Sequence, residues 1–166
     1  VAVDLVQKGM ATDIWVYALD SGRATRITDS PGEDFAASWT PDGRDLVYTA
    51  ERPLYEVWRR VADASQPPSR LIGGDYDRRV SDISQDGRSV AIGSSPANGQ
   101  ALAFVALTGK TDERAYLSGV RNAGKGVFSP DARWMTYQSD ESGRAEVYLQ
   151  SFPDPARGRW KVSTDG

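Results

Sequence analysis

Apolar and polar residues alternate along this chain in short runs, and the runs return at a fixed interval. Leu46-Val47-Tyr48, Val90-Ala91-Ile92 and Trp134-Met135-Thr136-Tyr137 are rich in β-branched and aromatic side chains, which suit a pleated, half-buried surface. Each run follows a polar turn: Trp39-Thr40-Pro41-Asp42-Gly43-Arg44, Ile83-Ser84-Gln85-Asp86-Gly87-Arg88 and Phe128-Ser129-Pro130-Asp131-Ala132-Arg133. The aspartates at 42, 86 and 131 lie 44 and 45 residues apart. A period of that length, one small sheet per repeat, is the signature of a propeller array. No run of about ten or more residues carries a helical period. The predicted fold class is all-β.

Two further phrases keep the same interval. Asp13-Ile14-Trp15, Glu56-Val57-Trp58 and Glu146-Val147-Tyr148 open strands, with Gln100-Ala101-Leu102 as the copy that has lost its acid. Arg26-Ile27-Thr28, Arg70-Leu71-Ile72, Ala115-Tyr116-Leu117 and Lys161-Val162-Ser163 close the units. The phrases predict a single propeller domain or propeller segment over 1–166, with repeats at approximately 1–35, 36–79, 80–124 and 125–166. Strands are expected at 36–39, 44–49, 55–61 and 69–72 in the second repeat, and at matching places in the third and fourth. The first repeat offers only three, at 1–5, 13–19 and 24–28. Asp-Gly between apolar runs predicts a type I′ hairpin turn with positive φ at both central residues. Acids at 13, 56 and 146 are expected to pair with Arg on a neighbouring strand.

Composition narrows the chemistry more than the architecture. A chain of 166 residues buries roughly 70% of its unfolded surface. A net charge of −3 with no basic stripe predicts no nucleic-acid partner. No stretch approaches the roughly 20 apolar residues of a spanning helix, so membrane insertion is not expected. The chain has no Cys and no His. Thiol nucleophiles, Ser-His-Asp triads and His-based zinc sites are therefore excluded. Residues 119–126 match a phosphate-binding loop at seven positions but put Gly126 where Ser or Thr must stand. The apolar Val127-Phe128 that follows predicts a strand, whereas that loop needs a helix.

These phrases resemble the bacterial TolB-type (PD40, WD40-like) β-propeller repeat across nearly the whole chain. Ser129-Pro130-Asp131, followed by Ser139-Asp140-Glu141-Ser142-Gly143, is the nearest match. Gln85 in place of Pro and Ala132 in place of Gly depart from it. The resemblance implies four-stranded antiparallel blades, about four here with the first incomplete, and favours a periplasmic or otherwise extracytoplasmic bacterial location. It also implies a function class, since such repeats form TolB itself, sensor-like domains and propellers attached to serine peptidases.

In such folds the loops joining one blade to the next line the channel mouth. Here they are 29–34, 73–79 and 118–125. Asp34, Asp77, Arg78, Arg79, Arg121, Asn122 and Lys125 are the candidate ligand-binding residues. Asp34, Asp75 and Asp77 are the candidate ligands of a Ca²⁺ ion, a cation that takes six to eight oxygens. The turn residues Asp42, Asp86 and Asp131 are expected to be structural, because Asp in a turn bonds its own backbone. The expected function is a non-enzymatic module binding a protein or small ligand, with no required cofactor and with self-association as a homodimer in view. The alternative is a Ca²⁺-dependent hydrolase of esters or lactones, in which the metal polarises a carbonyl and activates water.

Overall fold

The computed structural model describes residues 1–6, 11–96, 99–117 and 122–164. Four antiparallel sheets follow one another along the chain. The first has three strands in the order β1(Ala2–Val6), β2(Thr12–Tyr17), β3(Ala24–Arg26). The second is β4(Asp34–Trp39), β5(Asp45–Glu51), β6(Tyr55–Val61), β7(Ser69–Ile72). The third is β8(Asp77–Ile83), β9(Ser89–Ser95), β10(Ala101–Ala106), β11(Glu113–Ala115). The fourth is β12(Gly124–Phe128), β13(Trp134–Ser139), β14(Glu146–Ser151), β15(Arg159–Lys161). Among the described residues the one helical turn is the 3-10 segment Pro155–Arg157. Each sheet is a simple meander, the strand order expected of a propeller blade. Innermost strands start earlier than expected, at Asp34, Asp77 and Gly124, so residues read as loop belong to strand ends.

The chain divides into two compact units, Val1–Val80 and Ser81–Gly166. In the first, Ile14 and Ile27 of the first sheet pack with Leu46, Tyr48 and Ala50 of the second, and all five are fully buried. In the second, Ala91, Leu102 and Tyr116 pack with Phe128, Met135, Tyr137 and Tyr148. Tyr137 and Tyr148 stack at 5.6 Å, and the Tyr116 hydroxyl donates to the Ser151 carbonyl at 2.7 Å. That bond satisfies a polar tip whose ring supplies apolar surface, the usual condition for burying tyrosine.

The repeated turn differs from the expected hairpin. The Gly43 N–H donates to the Thr40 carbonyl at 2.8 Å, and Gly87 and Ala132 make the same bond to Ser84 and Ser129. Gly43, Gly87 and Ala132 have φ of 69°, 68° and 53°, whereas none of the preceding aspartates has positive φ. The bond closes around Pro41-Asp42, Gln85-Asp86 and Pro130-Asp131, none of them left-handed, and the left-handed residue follows, so the turn is not type I′. The reason lies in the side chains. Asp42 Oδ1 accepts from Thr40 Oγ1 at 2.7 Å and from the Arg44 N–H at 3.1 Å. Asp86 and Asp131 repeat the pattern with Ser84 and Arg88, and with Ser129 and Arg133. This side-chain ring holds a longer loop closed and confirms the structural role of the three aspartates.

The strand-opening acids are paired as expected in the first two sheets. Asp13 takes Arg26 at 2.6 Å and Glu56 takes Arg70 at 3.2 Å, each across to the outermost strand. In the fourth, Glu146 takes Arg144 at 2.7 Å and Lys161 at 3.6 Å.

Candidate functional site

The candidates of the first unit are held by partners of their own. Asp34 is fully buried at the start of β4, and accepts from Ser30 Oγ at 2.7 Å and Arg52 Nη2 at 3.0 Å. Burial raises its pKa above the ordinary carboxyl value, and these two donors oppose that without cancelling it. Asp77 accepts the Tyr55 N–H at 3.0 Å and lies 3.6 Å from Arg79. The Arg79 guanidinium sits over the Tyr55 ring at 4.3 Å. Arg78 is buried, stacks on the Tyr76 ring at 3.7 Å and donates to the Tyr76 carbonyl at 2.9 Å. Asp75 is exposed and reaches Arg78 only at 4.0 Å. Among the described residues no three carboxylates converge as a metal position. Most of the polar groups that made these loops attractive in the sequence fasten strand ends here.

The second unit is different. Asn122 and Lys125 both have φ of 53°, the left-handed region that costs a non-glycine residue energy. They bracket the start of β12, where the pairing with β13 shifts register between Gly124 and Val127. A bulge of this kind re-aims side chains at a strand end. Ala36 repeats the conformation at the same place in the second sheet, three residues before Trp39 as Lys125 is three before Phe128. The second and fourth sheets therefore share the bulge, and the fourth carries a long cation on it. Close packing below fixes the strand. A Cβ on Gly126 would stand 2.7 Å from Leu102 Cδ1 and 3.1 Å from Met135 Sδ.

Two adjoining cavities share Lys125, Gln138 and Ala145. One, of about 240 Å³, adds Gln100, Asn122 and Asp140. The other, of about 290 Å³, adds Thr136, Glu146 and Val147 and is mainly apolar. Asn122 Nδ2 donates to Asp140 Oδ2 at 2.7 Å, which fixes one wall. Three amide side chains, a carboxylate and an ammonium beside an apolar floor suit a ligand carrying both hydrogen-bonding groups and a small apolar body. The sequence pointed to Asn122 and Lys125 but missed Gln100, Gln138 and Asp140, which stand just before β10, on β13 and in the β13–β14 turn. The pairing of β12 with β13 brings Gln138 and Asp140 beside Lys125, and the approach of β12 to the third sheet adds Gln100. Arg121, the remaining candidate, lies outside the described residues.

With this geometry in hand, solved structures decide the architecture. TolB from Acinetobacter baumannii superposes with a TM-score of 0.83 over 99% of this chain and 41% of its own, at 15% identity. The fold is a TolB-type β-propeller. One of two prolyl endopeptidases analysed for inter-domain dynamics matches with a TM-score of 0.74 over 99% of this chain and 27% of its own, at 18% identity. In sequence, the uncharacterized peptidase YuxL of Bacillus subtilis (strain 168) is 24% identical over 153 residues, 86% of this chain. This chain spans only 21% of that relative's length. No family model matches the chain.

Proposed function

We propose that this TolB-type propeller is a non-enzymatic binding module whose ligand sits in the cavities around Lys125. The observation carrying this reading is the convergence of Lys125 with the amides of Gln100, Asn122 and Gln138 around one cavity that adjoins a mainly apolar one. The amides of Gln100, Asn122 and Gln138 can bond the main chain of an extended peptide, and Lys125 can receive a carboxylate from it. The ligand class is accordingly a peptide segment with an acidic side chain, and an extracytoplasmic location forms part of the proposal. An array of decapeptides probed with the chain and with its Lys125→Ala variant tests it. Acidic peptides should be retained by the chain and bound at least tenfold more weakly by the variant. Equal binding by both, or none by either, would overturn the reading.

The similarity to YuxL and to a prolyl endopeptidase supports a second, compatible reading. This propeller would be the non-catalytic region of a larger peptidase-like protein, where a peptide-binding cavity meets the substrate. The Ca²⁺-dependent hydrolase alternative is tested by turnover of p-nitrophenyl acetate and an acyl lactone in Ca²⁺ and then in EDTA. EDTA-sensitive turnover would replace the binding reading.

A further inference from the structure

The start of β12 lacks a side-chain acceptor that its counterparts in two other sheets have. Ala36, Val80 and Lys125 each stand three residues before the end of an innermost strand, at Trp39, Ile83 and Phe128. The Ala36 N–H donates to Asp4 Oδ2 at 3.0 Å, and the Val80 N–H to Thr49 Oγ1 at 2.9 Å. Each acceptor belongs to the preceding sheet and to one position of the repeat. Asp4 pairs with Ile14, Thr49 with Val57 and Gly93 with Leu102. Ile14 and Leu102 correspond, because their carbonyls accept from the N–H groups of Ile27 and Tyr116, just past the outermost strand of each sheet. The residue placed to accept from Lys125 is therefore Gly93, which has no side chain.

Nothing in the backbone asks for glycine at that position. Gly93 does not have positive φ, and its pairing with β10 runs in regular register. A Cβ built on it would meet nothing within 4 Å, so no neighbouring chain presses on it either. Glycine inside a strand weakens it, and marks a bulge, a bend, or a close approach by another backbone or a ligand. Of these, the ligand is left. The position faces the cavity's sheet. Leu102, directly opposite Gly93 and so on its face of the third sheet, lies 2.7 Å from where a Cβ on Gly126 of β12 would stand. Gln100, two residues before Leu102, lines the cavity together with Lys125. The far end of β12 is fastened to the third sheet without help from position 93, since the Phe128 N–H donates to Asp82 Oδ2 at 2.8 Å.

We propose that the acidic side chain of the bound peptide supplies this acceptor. Its carboxylate takes the place that Asp4 and Thr49 fill in earlier sheets, accepting from the Lys125 main-chain N–H while the Lys125 ammonium pairs with it. This rests on the reading of the cavity as a peptide site, and it makes Gly93 the residue that sets its specificity. Asp4 shows that a carboxylate suits the position. An ionised carboxylate offers about four lone-pair sites, enough for both donors, and bonds to a charged acceptor are the stronger kind. A neutral amide in its place has one oxygen and no charge for the ammonium, so Asp or Glu is selected over Asn or Gln. Asp140, the other charged residue lining the cavity, is bonded to Asn122 and disfavours a second acid in the peptide.

The Lys125 amide of ¹⁵N-labelled chain, followed by NMR, reads the result, with acetyl-Ala-Glu-Ala-amide as the probe and acetyl-Ala-Gln-Ala-amide as its neutral counterpart. The Glu peptide should move the Lys125 amide proton downfield, and the Gln peptide should bind at least tenfold more weakly. Gly93→Asp should fill the place from within. Its Lys125 amide proton should lie downfield before any peptide is added, its urea midpoint should rise, and it should bind the Glu peptide at least tenfold more weakly. Gly93→Thr repeats the test with the group of Thr49 if Gly93→Asp does not fold. Gly93→Ala brings a Cβ into open space and no acceptor, and should bind as the parent does. A Lys125 amide unmoved at saturation, undiminished binding by Gly93→Asp, or equal weakening by Gly93→Ala would each overturn this inference. If Lys125→Ala still weakened binding in that event, the cavity would stand as the peptide site. A Glu peptide that fails to bind the parent would overturn both.

Discussion

Trp15 and Trp58 occupy the same place in successive sheets, each opposite an arginine of the outermost strand, yet only Trp58 has a partner for its indole N–H. Trp58 Nε1 donates to Glu56 Oε2 at 3.0 Å. Trp15 Nε1 is buried without an acceptor. The residue at the position of Glu56 is Asp13, one methylene shorter, and its carboxylate already accepts from Arg26 and Thr28. A buried donor left unbonded costs about 1–3 kcal/mol. Trp15→Phe removes that donor and should cost less stability than Trp58→Phe, which strands an acceptor, by about 1 kcal/mol or more. Urea midpoints of the two variants check this. Equal losses would mean that the two indoles are equally well placed.

The turn aspartates give the protein an acid limit. Hydrogen bonds from Thr40 and Ser84 hold the carboxyls of Asp42 and Asp86 below the ordinary range, and those from Ser129 and Arg133 hold Asp131 down at about 2. A depressed folded-state value means that the stabilisation is complete above the unfolded value of about 3.9 and is lost as pH falls through the folded one. Carboxyl carbon shifts followed by NMR from pH 6 to pH 1.5 should show all three titrating low, with Asp131 lowest. Ser129→Ala should move Asp131 upward and leave Asp42 where it was. A normal titration for Asp131 would remove the side-chain ring as the reason this phrase recurs.

The sheets were legible because their signals are local and repeated. A turn phrase, an apolar run and a strand-opening acid at one period leave little freedom for another fold, and strand order follows from the short connections. The cavity was only half legible. Asn122 and Lys125 stood out as polar residues in a connection that does not repeat, but Gln100, just before β10, and Gln138, on β13, carry no signal until the fold brings them beside Lys125. Asp34 was read as a candidate ligand from its loop alone, and its partner Arg52, 18 residues away in the chain, was not legible there.

That pairing makes Arg52 a stability residue. Asp34 is fully buried, and Arg52 also reaches the Glu51 carbonyl and lies over the Trp58 ring at 5.6 Å. Removing one partner of a buried ion pair strands the other charge, at a cost of about 3–5 kcal/mol. Because Asp34 already titrates above the ordinary range, its ionised form is the costly one. Stability therefore falls as pH rises through the folded value, and falls further without Arg52. Arg52→Met should lose several kcal/mol by denaturant unfolding at pH 7 and distinctly less at acid pH, where protonation removes the stranded charge. A loss independent of pH would assign the effect to packing on Trp58.

Gly43 and Ala132 test the turn from opposite directions. Both adopt left-handed φ at the same point of the repeat, 69° and 53°, and both N–H groups close the same bond. For an L-residue this region costs roughly 1–2 kcal/mol, set against the roughly 0.5–1 kcal/mol of chain entropy that glycine loses on folding. Ala132→Gly should thus stabilise the protein by up to about 1 kcal/mol. Gly43→Ala should destabilise it by a similar amount, and for a purely conformational reason, since a Cβ there meets nothing within 4 Å. Two denaturation curves with midpoints displaced in opposite directions would establish that the third copy of the turn carries strain relieved by glycine. Displacement in the same direction would show that the side chain, rather than the backbone, sets the cost at these positions.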